Sequence, residues 1–359
     1  MSEDVYRKVA KVLNTLPNGF PATDTGVEIK ILKKIFIPDE AELFCDLRLT
    51  PETARQIALR TQRPLEGLEE KLTDMWHRGE VGGLDVGGVK TFHIIPWVIG
   101  LFEYQMDRMD REFAELCEEF SLYFGPQLVM HPPHIMQVLP VEKEIPVSQA
   151  ALSYQQVSHV IDTGRSFRLG ECVCKHENNL LGQPCNKPTE VCLGISPTPN
   201  ALNNMPTGRT ITQQEAYEVL DMAEKAGLVH LTTNVQSGQW FICNCCGCCC
   251  GVLNGVKLLG ANAVINSSYY AEVDPDACTA CGVCSDERCQ VNAIEEGDGH
   301  YQVIKERCIG CGLCVSACPT EAMHLVRKPS SEIVAPPRNE DEWRDIRAKS
   351  RGVDYSDYK

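Results

Sequence analysis

The chain has 359 residues and a net charge of −15, from 34 Lys and Arg against 49 Asp and Glu. That balance argues against a nucleic-acid partner, because a phosphate backbone is bound through clustered Lys and Arg. Twenty cysteines are far more than structure needs, and in a reducing compartment they read as metal ligands rather than disulfides. The charged opening, Met1 to Ala10, lacks the look of a signal peptide, and no apolar run approaches the roughly 18–20 residues of a membrane span. A soluble, cytoplasmic α+β multidomain protein without membrane insertion is therefore expected, and so many oxygen-sensitive ligands suggest an anaerobic setting.

Residues 1–96 have only Cys45 among their thiols and read as a winged-helix-like domain. Helices are expected over Asp39–Asp46, over Ala54–Leu59 with Thr50-Pro51-Glu52 as its start, and over Leu65–Gly79. Gly82 to Ile95 reads as a glycine-turned hairpin, the wing. The candidate recognition helix carries Glu66, Glu69, Glu70 and Asp74 against Lys71 and Arg78, which predicts protein docking rather than DNA binding.

Residues 97–150 read as an amphipathic helix and a Pro-rich connector. Met106, Met109, Phe113, Leu116 and Phe120 form one stripe of a helix over Leu101–Phe124, suited to a core or to a partner. Pro126 and His131-Pro132-Pro133-His134 are expected to break it. The two histidines read as loop residues, and Cys45 and Cys117 as isolated buried side chains.

Residues 151–271 form a Cys-rich, metal-binding segment: Cys172-x-Cys174-x10-Cys185-x6-Cys192, then Cys243, Cys245, Cys246, Cys248, Cys249 and Cys250. One tetrahedral zinc would use four of these thiolates and leave six idle. At least one further iron–sulfur cluster is expected here, drawing on both runs, with zinc or a purely structural role as alternatives. Thr212-x-x-Glu215 is a capping box opening a helix that ends before Gly227. A second helix, Gly247–Leu259, would turn its N-terminal amides toward Cys243, Cys245 and Cys246.

Residues 272–326 carry Cys278-x2-Cys281-x2-Cys284-x4-Cys289 and Cys308-x2-Cys311-x2-Cys314-x3-Cys318-Pro319. Each iron of a [4Fe–4S] cube takes one thiolate, and Cys-x2-Cys-x2-Cys lets a tight loop reach three corners. Two such clusters are expected. Zinc or disulfides would not explain two matched runs, nor the echo of Val291-Asn292-Ala293-Ile294 in Thr320-Glu321-Ala322-Met323. This segment has three basic and ten acidic side chains, a surface that either steers toward a basic docking patch or simply maintains solubility. Residues 327–359 read as a polar tail, an extended arm ordered by a partner or a disordered end.

From Glu272 to Val326 the chain resembles a bacterial-type dicluster ferredoxin. The resemblance implies crossed ligation: Cys278, Cys281 and Cys284 with Cys318, and Cys308, Cys311 and Cys314 with Cys289. Two departures bear on Cys289: four residues separate it from Cys284 where the family has three, and Gln290 stands where Pro follows the second run. Residues 10–326 as a whole resemble a family of uncharacterised [4Fe–4S]-binding proteins from anaerobic bacteria, which implies electron transfer without naming a substrate. Cys245-Cys246-Gly247 and Cys249-Cys250-Gly251 are also similar to the Cys-Cys-Gly motif of heterodisulfide reductase catalytic subunits, although those space their pairs across longer intervals.

The expected function is an electron conduit, a subunit or adaptor relaying electrons to or from a flavoprotein or metal oxidoreductase within a larger complex. The alternatives are a heterodisulfide-reductase-like enzyme with a catalytic middle cluster and a redox-sensing regulator. Gly82 to Gly88 lacks the G-x-G-x-x-G order of a nucleotide-binding turn, and no catalytic acid or base stands out.

Overall fold

Apolar residues at helical spacing build the N-terminal part of the computed structural model, which describes residues 2–145 and 153–359. The expected boundary at residues 150 and 151 lies outside the described residues. Helices Ser2–Thr15, Val27–Ile35, Pro38–Phe44, Ala54–Thr61 and Leu68–His77 bury Val9, Leu32, Phe44, Ile57, Leu72 and Trp76 in one core. Strands β1 (Gly82–Val86) and β2 (Val89–His93) follow as an antiparallel hairpin. Glu52 bridges to this hairpin, its N–H donating to the Phe92 carbonyl at 3.0 Å and its carbonyl accepting from Phe92 at 2.8 Å. An extended Glu52 cannot open a helix, so the start expected at Thr50-Pro51 moves to Thr53. There the Thr53 hydroxyl accepts from the Gln56 N–H at 3.3 Å, and Gln56 Oε1 accepts from the Thr53 N–H at 2.8 Å, a reciprocal cap.

The long amphipathic helix spans Arg111–Met130, not Leu101–Phe124, and Asp110 caps it by accepting from the Phe113 N–H at 2.7 Å. It continues through Pro126, whose missing N–H removes one bond near the end of the helix, on the turn where Leu122 is exposed. Met106, Met109, Phe113, Phe120 and Phe124 are all buried against the N-terminal helices. Leu116 is half-buried against the same core, so the stripe is mainly internal packing.

The polar tail holds a helix, Glu340–Arg351, that lies on the N-terminal core. Trp343, Ala348 and Tyr355 supply buried apolar surface that the charged composition hides. Arg347 is 0% exposed. Its guanidinium donates to the carbonyls of Pro17 at 3.1 Å, Pro133 at 2.8 Å, Leu128 at 3.1 Å and Gln127 at 3.3 Å, and to that of His131. It thereby caps the C-terminal end of helix Arg111–Met130, where the dipole favours a cation.

Six antiparallel strands form the central sheet: β3 (Met136–Leu139), β4 (Ser166–Glu171), β5 (Glu190–Ser196), β6 (Arg209–Ile211), β7 (Val229–Thr233) and β8 (Phe241–Cys245). Their order is β3-β7-β8-β5-β4-β6. Helix Gln213–Lys225, with the capping box at Thr212 and Glu215 in place, packs Ala216, Val219 and Leu220 against Leu139, Leu169, Leu193 and Ile242. The helix expected from Gly247 starts instead at Gly251, because residues 247–249 turn and Cys250 is the N-cap. Beyond it, β9 (Tyr269–Val273) pairs with β12 (Met323–Arg327), and β10 (Ile294–Glu296) with β11 (Tyr301–Val303). These two small sheets brace the final cysteine loops. Among the described residues no helix is long and apolar enough to cross a membrane.

Replacing Arg347 by Met keeps the apolar stem and orphans several buried carbonyls, each worth about 1–3 kcal/mol when unpaired. We expect a loss of about 3 kcal/mol or more, measured by chemical denaturation, and a similar loss for Arg347→Lys, whose single ammonium cannot reach the same acceptors.

Candidate iron–sulfur and metal centres

All twenty cysteines are free of disulfides; eighteen gather in three places, while Cys45 and Cys117 lie apart in the N-terminal core. In the C-terminal segment, Cys289, Cys308, Cys311 and Cys314 line one cavity with Ala271 and Ile294. Burial pushes the Cys311 thiol up to about 12 and raises Cys308 and Cys314, and the neighbouring Cys289 adds to the rise at all three. Cys284 is pushed up to about 11, by burial and then by Cys281 and Cys278. Cys318 behaves differently: burial acts to raise it, but the amides of Thr320, Ala322 and Met323 bring it below the ordinary thiol value.

The donor set fits an iron–sulfur group. Backbone N–H groups already point at sulfur, Ala293 to Cys289 Sγ at 3.1 Å and Ala271 to Cys308 Sγ at 3.3 Å. Such bonds stabilise thiolate charge and help set the potential of a bound cluster. Gly310 adopts φ +60°, and a Cβ there would lie 2.2 Å from the Tyr269 carbonyl oxygen, so the second loop reaches its place only with glycine.

Both departures from the ferredoxin pattern are contacts. Within the longer interval between Cys284 and Cys289, Arg288 donates to the carbonyls of Lys225 at 2.9 Å and Glu224 at 3.2 Å, at the end of helix Gln213–Lys225. Gln290, in place of proline, accepts from the Gly247 N–H through Oε1 at 2.9 Å. The first cysteine loop is thus fastened to the Cys-rich middle.

The ten middle cysteines divide into two groups that follow neither run. Cys185, Cys246, Cys248 and Cys249 have all four sulfurs within 4.8 Å of one another. Cys172, Cys174, Cys192, Cys243, Cys245 and Cys250 form the other group, joined by hydrogen bonds between Cys172 and Cys174 and along Cys192, Cys243, Cys245 and Cys250. Cys172 and Cys250 each occupy the N-cap of a helix, Val173–Leu180 and Gly251–Leu259, where the positive dipole end stabilises a thiolate.

Hydrogen bonds from Cys192 and Cys245 hold Cys243 well below the ordinary thiol range. The bond from Cys174 brings Cys172 down to about 7, and the partners that share the proton are driven upward. Without a cation, such a group holds only a few negative charges. Full deprotonation needs a multiply charged core at its centre. Glu103, which no spacing rule flags, stands beside this group. Its carboxylate accepts from the Gly100 N–H at 2.6 Å, and burial pushes it up to about 8, with the Cys243 and Cys172 charges adding to the rise. His134 bonds the Asn262 carbonyl at 3.0 Å through Nε2 and is not part of the four-cysteine group.

One apolar core joins the six-cysteine group to the C-terminal segment, Cys245 and Cys250 sharing it with Cys284, Cys308 and Cys314, whereas Cys246, Cys249 and Cys185 pack in a separate small cluster. A mixed helix-and-sheet protein with a Cys-rich middle and a C-terminal iron–sulfur electron-transfer module is what fold and donors define. Residues 301–324 match the family model described as a 4Fe-4S binding domain. The chain is 34% identical over 89 residues to a protein named an uncharacterized ferredoxin of Methanocaldococcus jannaschii, covering 24% of this chain and 52% of that one. It is 41% identical over 61 residues to the electron transport protein HydN of Escherichia coli, 16% of this chain and 35% of that one. A match to an iron–sulfur protein of Rhodospirillum rubrum is 29% identical over 92 residues, 23% and 48% of the two chains. The chain thus spans about half or less of the length of the curated relatives it matches.

Gly247 tests how the two cysteine-bearing parts meet. A Cβ at this position would lie 2.1 Å from the Gln290 carbonyl oxygen and 2.9 Å from Lys257 Nζ. Gly247→Ala should cost about 1–3 kcal/mol through overpacking, read as a lowered midpoint of thermal unfolding, whereas Gly251→Ala, with nothing within 4 Å, should leave it unchanged.

Proposed function

We propose that the protein is an electron conduit: two [4Fe–4S] clusters in residues 272–326, a third iron–sulfur centre in the six-cysteine group, and a redox-protein partner at one end. The observation that carries this reading is the shared core in which Cys245 and Cys250 pack with Cys284, Cys308 and Cys314, since short separation through packed protein is what sequential electron transfer needs. When bound, the clusters supply one-electron donor and acceptor sites. The chain's own part is to exclude water, to aim amides at sulfur and to offset thiolate charge with the helix ends at Cys172 and Cys250. An oxygen-poor cytoplasm suits exposed Cys281.

The crossed ligation is part of the proposal. Cys289 acts electrostatically on Cys308, Cys311 and Cys314, and Cys284 feels Cys278 and Cys281, which leaves Cys318 for the first loop. In anaerobic preparations, Cys289→Ser combined with Cys308→Ser should remove one cluster, about four iron atoms per chain. Cys289→Ser combined with Cys278→Ser should disturb both clusters, about eight. The reverse pattern would show that each run closes its own cube.

The winged-helix-like unit, helices Pro38–Phe44, Ala54–Thr61 and Leu68–His77 with the β1–β2 hairpin, serves as a protein-docking module in this reading. Lys71 is paired with Asp39, and Arg78 with Glu40 and Glu80, while Glu69, Glu70 and Asp74 stand exposed. Little basic charge is left for a phosphate backbone. Duplex DNA at physiological salt should not shift the protein on a native gel; a shift weakened by Lys71→Glu would favour the regulator.

A further inference from the structure

Cys185, Cys246, Cys248 and Cys249 form a group separate from the other six middle cysteines. Sγ of Cys185 lies 3.4 Å from that of Cys248 and 3.7 Å from that of Cys246, and Cys248 and Cys249 are 3.6 Å apart. Four thiolates around one zinc at Zn–S of about 2.3 Å stand at tetrahedron corners about 3.8 Å apart. With all the separations at or below 4.8 Å, the four sulfurs are compact enough to close on a single ion. A [4Fe–4S] cube, which gives each thiolate its own iron at its own corner, spreads its sulfurs more widely.

The fold explains why these four meet. Strands β5 and β8 run antiparallel with Leu193 opposite Ile242 and Gly194 opposite Phe241, so the chain entering β5 lies beside the chain leaving β8. Cys185 sits on the first and the turn at 246–249 on the second. Asn244 holds the pair together by donating to the Val191 carbonyl at 2.7 Å. Around the sulfurs, the Lys187 N–H donates to Cys185 Sγ at 3.4 Å, Lys187 Nζ to the Ala226 carbonyl at 2.6 Å, and Lys257 Nζ to the Gly247 carbonyl. One amide thus donates to a sulfur and two ammonium groups are held on the carbonyls of Ala226 and Gly247, residues packed beside or between the four cysteines, at a site that would carry two net negative charges with a divalent ion bound. A donor that bonds a ligating sulfur from behind, or that fixes the loop carrying it, holds that sulfur in place.

We propose that these four cysteines bind one structural Zn2+, closed on all sides by protein thiolates and taking no part in electron transfer. The ion staples the loop before β5 to the turn after β8. The same turn receives Gln290 at Gly247, so the staple also fixes where the C-terminal cysteine loops dock. Cys248 is the exposed ligand and the other three are more enclosed, which gives the ion a route in from solvent.

The test uses the full-length protein purified anaerobically. Elemental analysis should give about one zinc per chain besides iron, and X-ray absorption at the zinc edge should show four sulfur neighbours at about 2.3 Å. Added Co2+ should replace the zinc and give the visible bands of tetrahedral tetrathiolate cobalt. Cys248→Ser should lower zinc retention at least tenfold and leave iron unchanged. Because the absorption measurement needs only the natural protein, a variant that misfolds does not spoil the test. Absence of zinc, fewer than four sulfurs around it, a lone iron in its place, or loss of several iron atoms in Cys248→Ser would each overturn the proposal. Zinc present with iron for only the two C-terminal clusters would uphold this site and instead remove the third redox centre.

Discussion

Packing many thiolates into a protein interior is possible only around positive charge, and the rest of this molecule is arranged to meet that constraint. A single buried carboxylate or thiolate already costs several kcal/mol unless it is paired. Here Cys245, Cys246, Cys249, Cys250, Cys284, Cys308 and Cys314 are all buried. Around Cys243 the free thiols share protons, one sulfur lowered beside Cys192 and Cys245 driven upward. Metal cores remove that frustration, so folding and metal loading are linked, and the apo chain should be far less stable than the loaded one.

The remaining architecture gives those centres fixed relations to one another. The central sheet carries Cys192 on β5 and Cys243 and Cys245 on β8, so register, rather than loop flexibility, sets their spacing. Arg288 and Gln290 tie the C-terminal loops to helix Gln213–Lys225 and to Gly247. At the far end, Arg347 and Arg351 bind the last helix to carbonyls of the N-terminal unit, Arg351 reaching the Leu16 carbonyl at 2.6 Å. The first and last segments of the chain thus close on each other around Arg347.

Much of the C-terminal site was legible from spacing, because a cube demands three thiolates in one tight loop and Cys278 to Cys284 and Cys308 to Cys314 satisfy it locally. The middle site was not. Cys185 and Cys192 lie in one run yet join different groups, a division made by the β5–β8 pairing between residues far apart in sequence. Local signals did well where the chemistry is local, as at the capping box of Thr212 and Glu215. They failed at Thr50-Pro51, where the long-range bridge from Glu52 to Phe92 takes precedence, and at the tail, whose sparse apolar residues suffice only because Arg347 finds carbonyl partners across the whole chain. Glu103 left no signal at all, since a single carboxylate acquires meaning only beside the cysteines that tertiary structure brings to it.

The proposed relay joins iron–sulfur centres in the middle and C-terminal parts. An EPR-monitored reductive titration of the intact, anaerobically purified protein tests it most directly. A relay of this kind gives paramagnetic signals from at least three clusters, with lines broadened by mutual magnetic coupling as the second and third centres become reduced. Two coupled signals with no third, or a third signal that stays sharp while the others are reduced, would contradict it.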